Sequence, residues 1–235
     1  METVCLTFKT PELDSTLRSV CELVLTHFTL PPYKLLCFFD DDNPAHLDKD
    51  IGSAYCGFHA PIIGSGVIWP GYVESLFLDW SGEFAFENTI YLNGRTTSSI
   101  PGTVITLAHE LQHFVQFGFF RKVWRANTFI YNLLRDGPPT EIKAWDLPLE
   151  MDAMAVSKRV SELVLGEAVI KTYADAQIAL GNDPGKWKFF ATLSASHLTE
   201  PFLLAATKPW VVRYMPELKA IKQRDVDFLQ DEWWR

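Results

Sequence analysis

The 235-residue sequence predicts an α+β chain with one N-terminal helix, a small mostly antiparallel sheet and a helical second half. Three observations carry that expectation. Apolar positions recur at helical spacing near the start, short β-type runs separated by Gly and Pro crowd Ile51 to Arg95, and long helical periodicities take over from Thr103. Hydrophobic residues make up 48% of the chain and aromatics 14%, enough for a core and unlike a disordered or collagen-like composition. With no internal repeat or linker, the expected organisation is one domain, 1–235, with a helix-plus-sheet lobe at 1–101 and a helical lobe at 102–235.

From Pro11 to Phe28 the apolar positions Leu13, Leu17, Val20, Cys21, Val24 and Leu25 recur at helical spacing, and Pro31-Pro32 stops the helix. Lys34 to Phe39 is an apolar run that predicts a buried strand, followed by Asp40-Asp41-Asp42, expected as a solvated acidic turn. The predicted sheet strands are Ala54 to His59, Gly66 to Trp69, Val73 to Leu78 and Thr89 to Leu92, with Asn93-Gly94 as the turn that leaves the last one. Ile63-Gly64-Ser65-Gly66 lacks the third glycine of a dinucleotide fingerprint and the lysine of a P-loop. Trp233-Trp234 are expected to fold back onto the body.

Charge and cysteine usage exclude several functions. The net charge is −8 and no basic run exceeds two residues, which argues against nucleic acid as a partner. Apolar stretches break well short of the roughly 18–20 residues that a bilayer span requires, so no membrane partner is expected. Cys5, Cys21, Cys37 and Cys56 are spaced too widely for Cys-x-x-Cys zinc ligation, and no leader-like segment precedes them. They read as small buried hydrophobes of a cytoplasmic protein.

The chemistry sits in Leu107-Ala108-His109-Glu110-Leu111-Gln112-His113-Phe114-Val115. With 6 His in the chain, chance places His-Glu-x-x-His somewhere in such a composition with a probability of about 0.01. At about 100° per residue, Val104, Leu107, Ala108, Leu111 and Val115 form one buried stripe, while His109 and His113 point about 140° and 180° away from Val104. One turn apart on a shared face, the two imidazoles can converge on one metal ion. Glu110 projects about 60° to the side of His113, where a carboxylate can act as a general base without ligating the metal.

A catalytic zinc takes three protein ligands and keeps a position open. Three and six residues after His113, where the metzincin pattern continues with Gly and His, stand Gln116 and Phe119, so the third ligand must come from elsewhere. A second helix opens at Trp145-Asp146-Leu147-Pro148, with Asp146 expected as its N-cap and Leu149, Ala153, Val156, Val160, Leu163 and Val164 as its buried stripe. Glu150 lies on the edge shared with Ser157 and Ser161, where small side chains permit close approach. It is favoured as third ligand over Asp152, with Glu141, Asp136 and His197 as outsiders. Asp152 is expected as a surface ion pair in preference to a group that orients a ligating histidine.

His109-Glu110-x-x-His113 followed 37 residues later by Glu150 resembles the zincin metallopeptidases, in particular the gluzincin-like branch whose third ligand is a glutamate. The resemblance covers Asn88 to Ser161. It implies a zincin-like fold, a Zn2+ cofactor and a peptide or protein substrate, with Glu110 taking a proton from the attacking water and passing it to the leaving amine. It also implies a sheet-edge strand beside the active-site helix that pairs with extended substrate, a place Thr89 to Asn93 resembles. Many members carry an Asp four residues after the metal-binding Glu, where this chain has Met154. Candidates in kind for stabilising the oxyanion are His197, Tyr131, Tyr173, Tyr214 and Arg95, with His197 first. Two other readings stay open: a catalytically silent zincin scaffold serving as an interaction or regulatory protein, and hydrolysis of a non-peptide amide.

Overall fold

The computed structural model describes residues 4–41, 57–63, 66–67, 88–136, 143–194 and 200–220. Several sequence expectations lie outside these residues: the strand Val73 to Leu78, Cys56, Glu141, His197 and Trp233-Trp234.

Five strands, β1 (Val4–Phe8), β2 (Leu35–Phe39), β3 (Gly57–Ile63), β4 (Gly66–Val67) and β5 (Asn88–Leu92), form a mixed sheet in the order β1-β2-β5-β3-β4. β1, β2 and β5 are parallel, and β3 runs antiparallel to both β5 and β4. The expectation of a mostly antiparallel sheet is therefore corrected. Its parallel part includes β1, which the sequence reading did not assign and which reaches β2 through the helix α1 (Pro11–Leu25), the crossover connection that parallel pairing requires. All five residues of β2 are buried, the unbroken apolar pattern of a strand covered on both faces.

α1 starts as its sequence implies, with Thr10 Oγ1 accepting from Leu13 N at 3.3 Å and Pro11 in the first turn. Cys21 and Cys37 are buried free thiols, Cys21 pushed by burial up to about 12, while Cys5 is exposed, contrary to expectation. Cys5 lies on β1, an edge strand of the sheet.

After β5 come a single helical turn, α2 (Gly94–Thr97), and the long helix α3 (Ile100–Phe119), which carries the His-Glu-x-x-His motif. Asp40 ties the start of this segment to the strand ends. Its carboxylate binds Lys9 Nζ at 2.9 Å and accepts from Tyr91 Oη at 3.0 Å, and its carbonyl accepts from Thr97 Oγ1 at 2.7 Å. Asp40 is buried, so the solvated acidic turn expected over Asp40-Asp41-Asp42 is corrected at its first residue, where a carboxylate at the end of a covered strand needs these partners; Asp41 is exposed, and Asp42 lies outside the described residues. Ser99 then caps α3 by accepting from Gly102 N at 3.2 Å, and Thr103 Oγ1 donates to Thr96 O at 3.1 Å.

α3 is the central element of the described fold. Val104, Leu107, Ala108, Leu111 and Phe114 pack on the core shared by α1 and the sheet. Ile105 joins a cluster with Met154, Ile170 and Phe190, and Phe117 one with Val123, Trp124, Leu149 and Leu203. These partners come from α4 (Arg121–Asp136), α5 (Pro148–Leu165), α6 (Glu167–Ala179), α7 (Pro184–Thr192) and α8 (Glu200–Arg213), with α9 (Met215–Ala220) after them. The helix is thus covered on several faces, and its polar residues Glu110, Gln112 and Gln116 are buried with the rest.

α5 follows a 3-10 turn at Ala144–Asp146. Pro148 occupies its first turn as predicted, but Leu147 holds the N-cap position, and Asp146 instead accepts from Lys143 N at 2.8 Å to close the preceding turn. Leu163, expected in the buried stripe, is exposed, because Ser157 and Ser161 take the covered side of the helix.

The end of α3 is shaped by a close backbone approach at Gly118, where an added Cβ would stand 2.3 Å from Pro31 Cβ and 2.5 Å from its Cγ. The proline ring cannot rotate away, so Gly118→Ala should lower stability by about 1–3 kcal/mol, read as a reduced urea midpoint with unchanged slope.

Candidate metal centre

His109 and His113 project from α3 toward Glu150 in the first turn of α5. The two Nε2 atoms are 3.0 Å apart; Glu150 Oε2 lies 3.4 Å from His109 Nε2, and Oε1 lies 3.4 Å from His113 Nε2. Among the described residues these three are the one group of His, Cys, Asp and Glu whose donor atoms converge closely enough to hold a metal ion. Of the sequence candidates for third ligand, the structure brings Glu150 to the histidine pair.

The donor set fits zinc. Bonds of about 2.0–2.1 Å in tetrahedral arrangement put neighbouring ligand atoms about 3.3–3.4 Å apart; here one donor atom from each residue lies within 4.8 Å of the others, each imidazole nearest a different oxygen of Glu150. Two imidazoles and one carboxylate suit zinc better than calcium or magnesium, which favour oxygen-rich shells. The side chains of His109, His113 and Glu150 retain 17%, 15% and 26% of their exposure, so the group is reachable from solvent.

Electrostatics couple the three side chains. Burial alone favours neutral His113, but the Glu150 carboxylate, with Glu110 and a bond to Gln116, outweighs it and raises the imidazole to about 9. Burial likewise acts to raise Glu150, yet the two histidines hold it well below 4.5. Glu110 is buried beside the triad but outside it. Desolvation raises its carboxyl, partly opposed by the positive charge of His109 and His113, so it is a stronger base than a surface glutamate.

Asp152 does not join the triangle, and the surface ion pair expected for it is corrected: it is buried between the helices. Its Oδ2 accepts from Gln112 Nε2 at 3.0 Å and from Gln116 Nε2 at 2.8 Å. Gln116 in turn faces His113, with Oε1 2.8 Å from Nδ1. Sequence reasoning registered Gln116 only as a departure from the metzincin pattern. Its spacing of three residues from His113, which puts the two on one helix face, was the available signal.

Other candidates fall elsewhere. Tyr173 lies at the opposite end of α3, its hydroxyl 2.9 Å from where a Cβ on Gly102 would stand. Tyr131 and Tyr214 pack on the cluster of Ala126, Ile130, Leu147 and Val211. The side chains of Arg95 and Asp136 are outside those described. Thr89 to Asn93 does not form a sheet edge: β5 is paired on both sides, with β2 and with β3, which leaves no free ladder for an extended peptide. No helix among the described residues is long and apolar enough to cross a membrane.

No protein-family model, curated protein or solved structure matches the chain. The resemblance to zincins therefore stands on His109, Glu110, His113 and Glu150.

A metal displaces protons from its ligands. Between its ordinary 6.5 and about 9, His113 is charged in the metal-free protein and must become neutral to ligate. Zinc binding in that window should release about one proton from His113. Calorimetric enthalpies in two buffers of different ionisation enthalpy measure that release, and equal enthalpies would contradict it.

Proposed function

We propose that the protein is a zinc-dependent metallopeptidase that acts on a peptide or protein substrate. The observation that supports this best is the convergence of His109, His113 and Glu150 with Glu110 buried beside them. A structural metal site has no use for that fourth group.

Zinc held by the triad would supply a Lewis acid that polarises the scissile carbonyl and makes water a nucleophile near neutral pH. The chain's own part centres on Glu110. Raised by burial, its carboxylate accepts the proton of the attacking water and then delivers it to the departing amine nitrogen. Leu107, Ala108 and Leu111 lock the helix against the core, so the two imidazoles and the base keep fixed relative directions. The proposed protein has no membrane or nucleic-acid partner and works in the cytoplasm.

Replacing single residues separates binding from turnover. Glu110→Gln should retain bound zinc while lowering the rate of peptide cleavage by about 10²–10⁴-fold. His113→Ala and Glu150→Ala should lose zinc with the activity. Metal content by mass spectrometry and cleavage across a peptide library provide both readouts. Equal zinc in all variants, or full cleavage by Glu110→Gln, would overturn the assignment.

A further inference from the structure

We infer that Gln116 and Asp152 are positioning residues that select which nitrogen of His113 faces the metal. The inference rests on the metallopeptidase reading for its purpose and on the hydrogen bonds of this site for its content.

A glutamine amide has nearly the same shape either way round, so its orientation is set by its partners. Gln116 Nε2 lies 3.0 Å from the Leu149 carbonyl oxygen and 2.8 Å from Asp152 Oδ2. A backbone carbonyl can only accept. The reversed amide would set an oxygen against that carbonyl and the Asp152 carboxylate, losing two hydrogen bonds at a buried position. Both N–H bonds of Gln116 are therefore committed, and Oε1 is left facing His113 Nδ1 at 2.8 Å. An acceptor there requires the proton on Nδ1. Neutral His113 then presents an unprotonated Nε2 to the point where Glu150 and His109 converge.

The same segment of α5 thus addresses His113 from both ends. Residues two apart on a helix point about 200° from one another. Glu150 approaches Nε2 directly at 3.4 Å, while Asp152 acts on Nδ1 through Gln116. Gln112 adds a second amide donor to Asp152 Oδ2 at 3.0 Å, which helps hold a carboxylate inside the helix pair. Ligand placement and imidazole orientation consequently depend on one register between α3 and α5. A shift that separated Asp152 from Gln116 would free the imidazole to turn.

An exchange of the two groups tests this. Gln116→Glu sets two carboxylates against each other and should weaken zinc binding by about 10–100-fold, measured by competition with a fluorescent chelator. Asp152→Leu, similar in size but with no acceptor for the Gln116 and Gln112 amides, should weaken it by about 3–10-fold. The double variant Gln116→Glu with Asp152→Asn restores an acceptor for His113 Nδ1–H and a donor behind it, while the Leu149 carbonyl stays without its amide partner, and should bind zinc several-fold more tightly than Gln116→Glu alone but below wild type. If Gln116→Glu does not fold, Asp152→Leu decides alone. Affinity within about twofold of wild type in the folded single variants, or a double variant no tighter than Gln116→Glu, would overturn the inference. Zinc affinity is read without peptidase activity, so an inactive protein that binds zinc bears on the reaction and not on this relay. If wild type binds no zinc, the metal reading fails and the relay is judged in the metal-free protein by a slowly exchanging His113 Nδ1–H in ¹⁵N NMR. That signal should be present in wild type and lost in Gln116→Met; its absence from wild type overturns the inference.

Discussion

The close packing of α3 against α5 is the constraint on which the site depends. α3 is enclosed by the sheet and α1 on one side and by α5 and its neighbours on others, so little of its surface is left to water. Polar residues in such a helix must find partners within the protein, because a buried donor or acceptor left alone costs about 1–3 kcal/mol. α5 supplies those partners along one stretch. Glu150 meets the histidines, the Leu149 carbonyl and Asp152 take the amide of Gln116, and Ala153 and Ser157 keep the packed surface shallow.

That packing also explains why charge and apolar contact can coexist here. A partly exposed cluster of two imidazoles and a carboxylate is bordered by Met154 and Leu149, which belong to two different apolar clusters. The clusters fix the helices, and the polar atoms occupy the opening between them. Attraction between the Glu150 carboxylate and the two imidazoles opposes the desolvation of that carboxylate and of His113.

The sequence disclosed the parts of this arrangement that depend on local geometry. His109 and His113 share a face because they are four residues apart on a helix, and Val104, Leu107, Ala108 and Leu111 mark the opposite face by the same periodicity. Glu150 was legible because Ser157 and Ser161 lie along its side of the helix. Properties that arise only when distant segments meet were not. β1 is a short run whose partner lies beyond a helix, and β5 became a central strand through pairing with β2 on one side and β3 on the other. Asp152 carries no sequence mark that separates a surface carboxylate from a buried one; its environment comes from Gln112 and Gln116, 36 to 40 residues earlier.

The bonds around Asp40 have a mechanical side. Lys9, Tyr91 and Thr97 meet at that residue, and Thr103 hangs from Thr96 just beyond it, so the strand ends are the fulcrum from which α3 extends. His113 lies ten residues past Thr103, about 15 Å along the axis, and a tilt of about 4° at the fulcrum swings it by about 1 Å. A displacement of that size exceeds the roughly 0.5 Å tolerance of a productive constellation. The lysine–aspartate pair at the ends of β1 and β2 therefore stands at the base of the lever that carries both histidines, and the N-terminal lobe fixes where that lever begins.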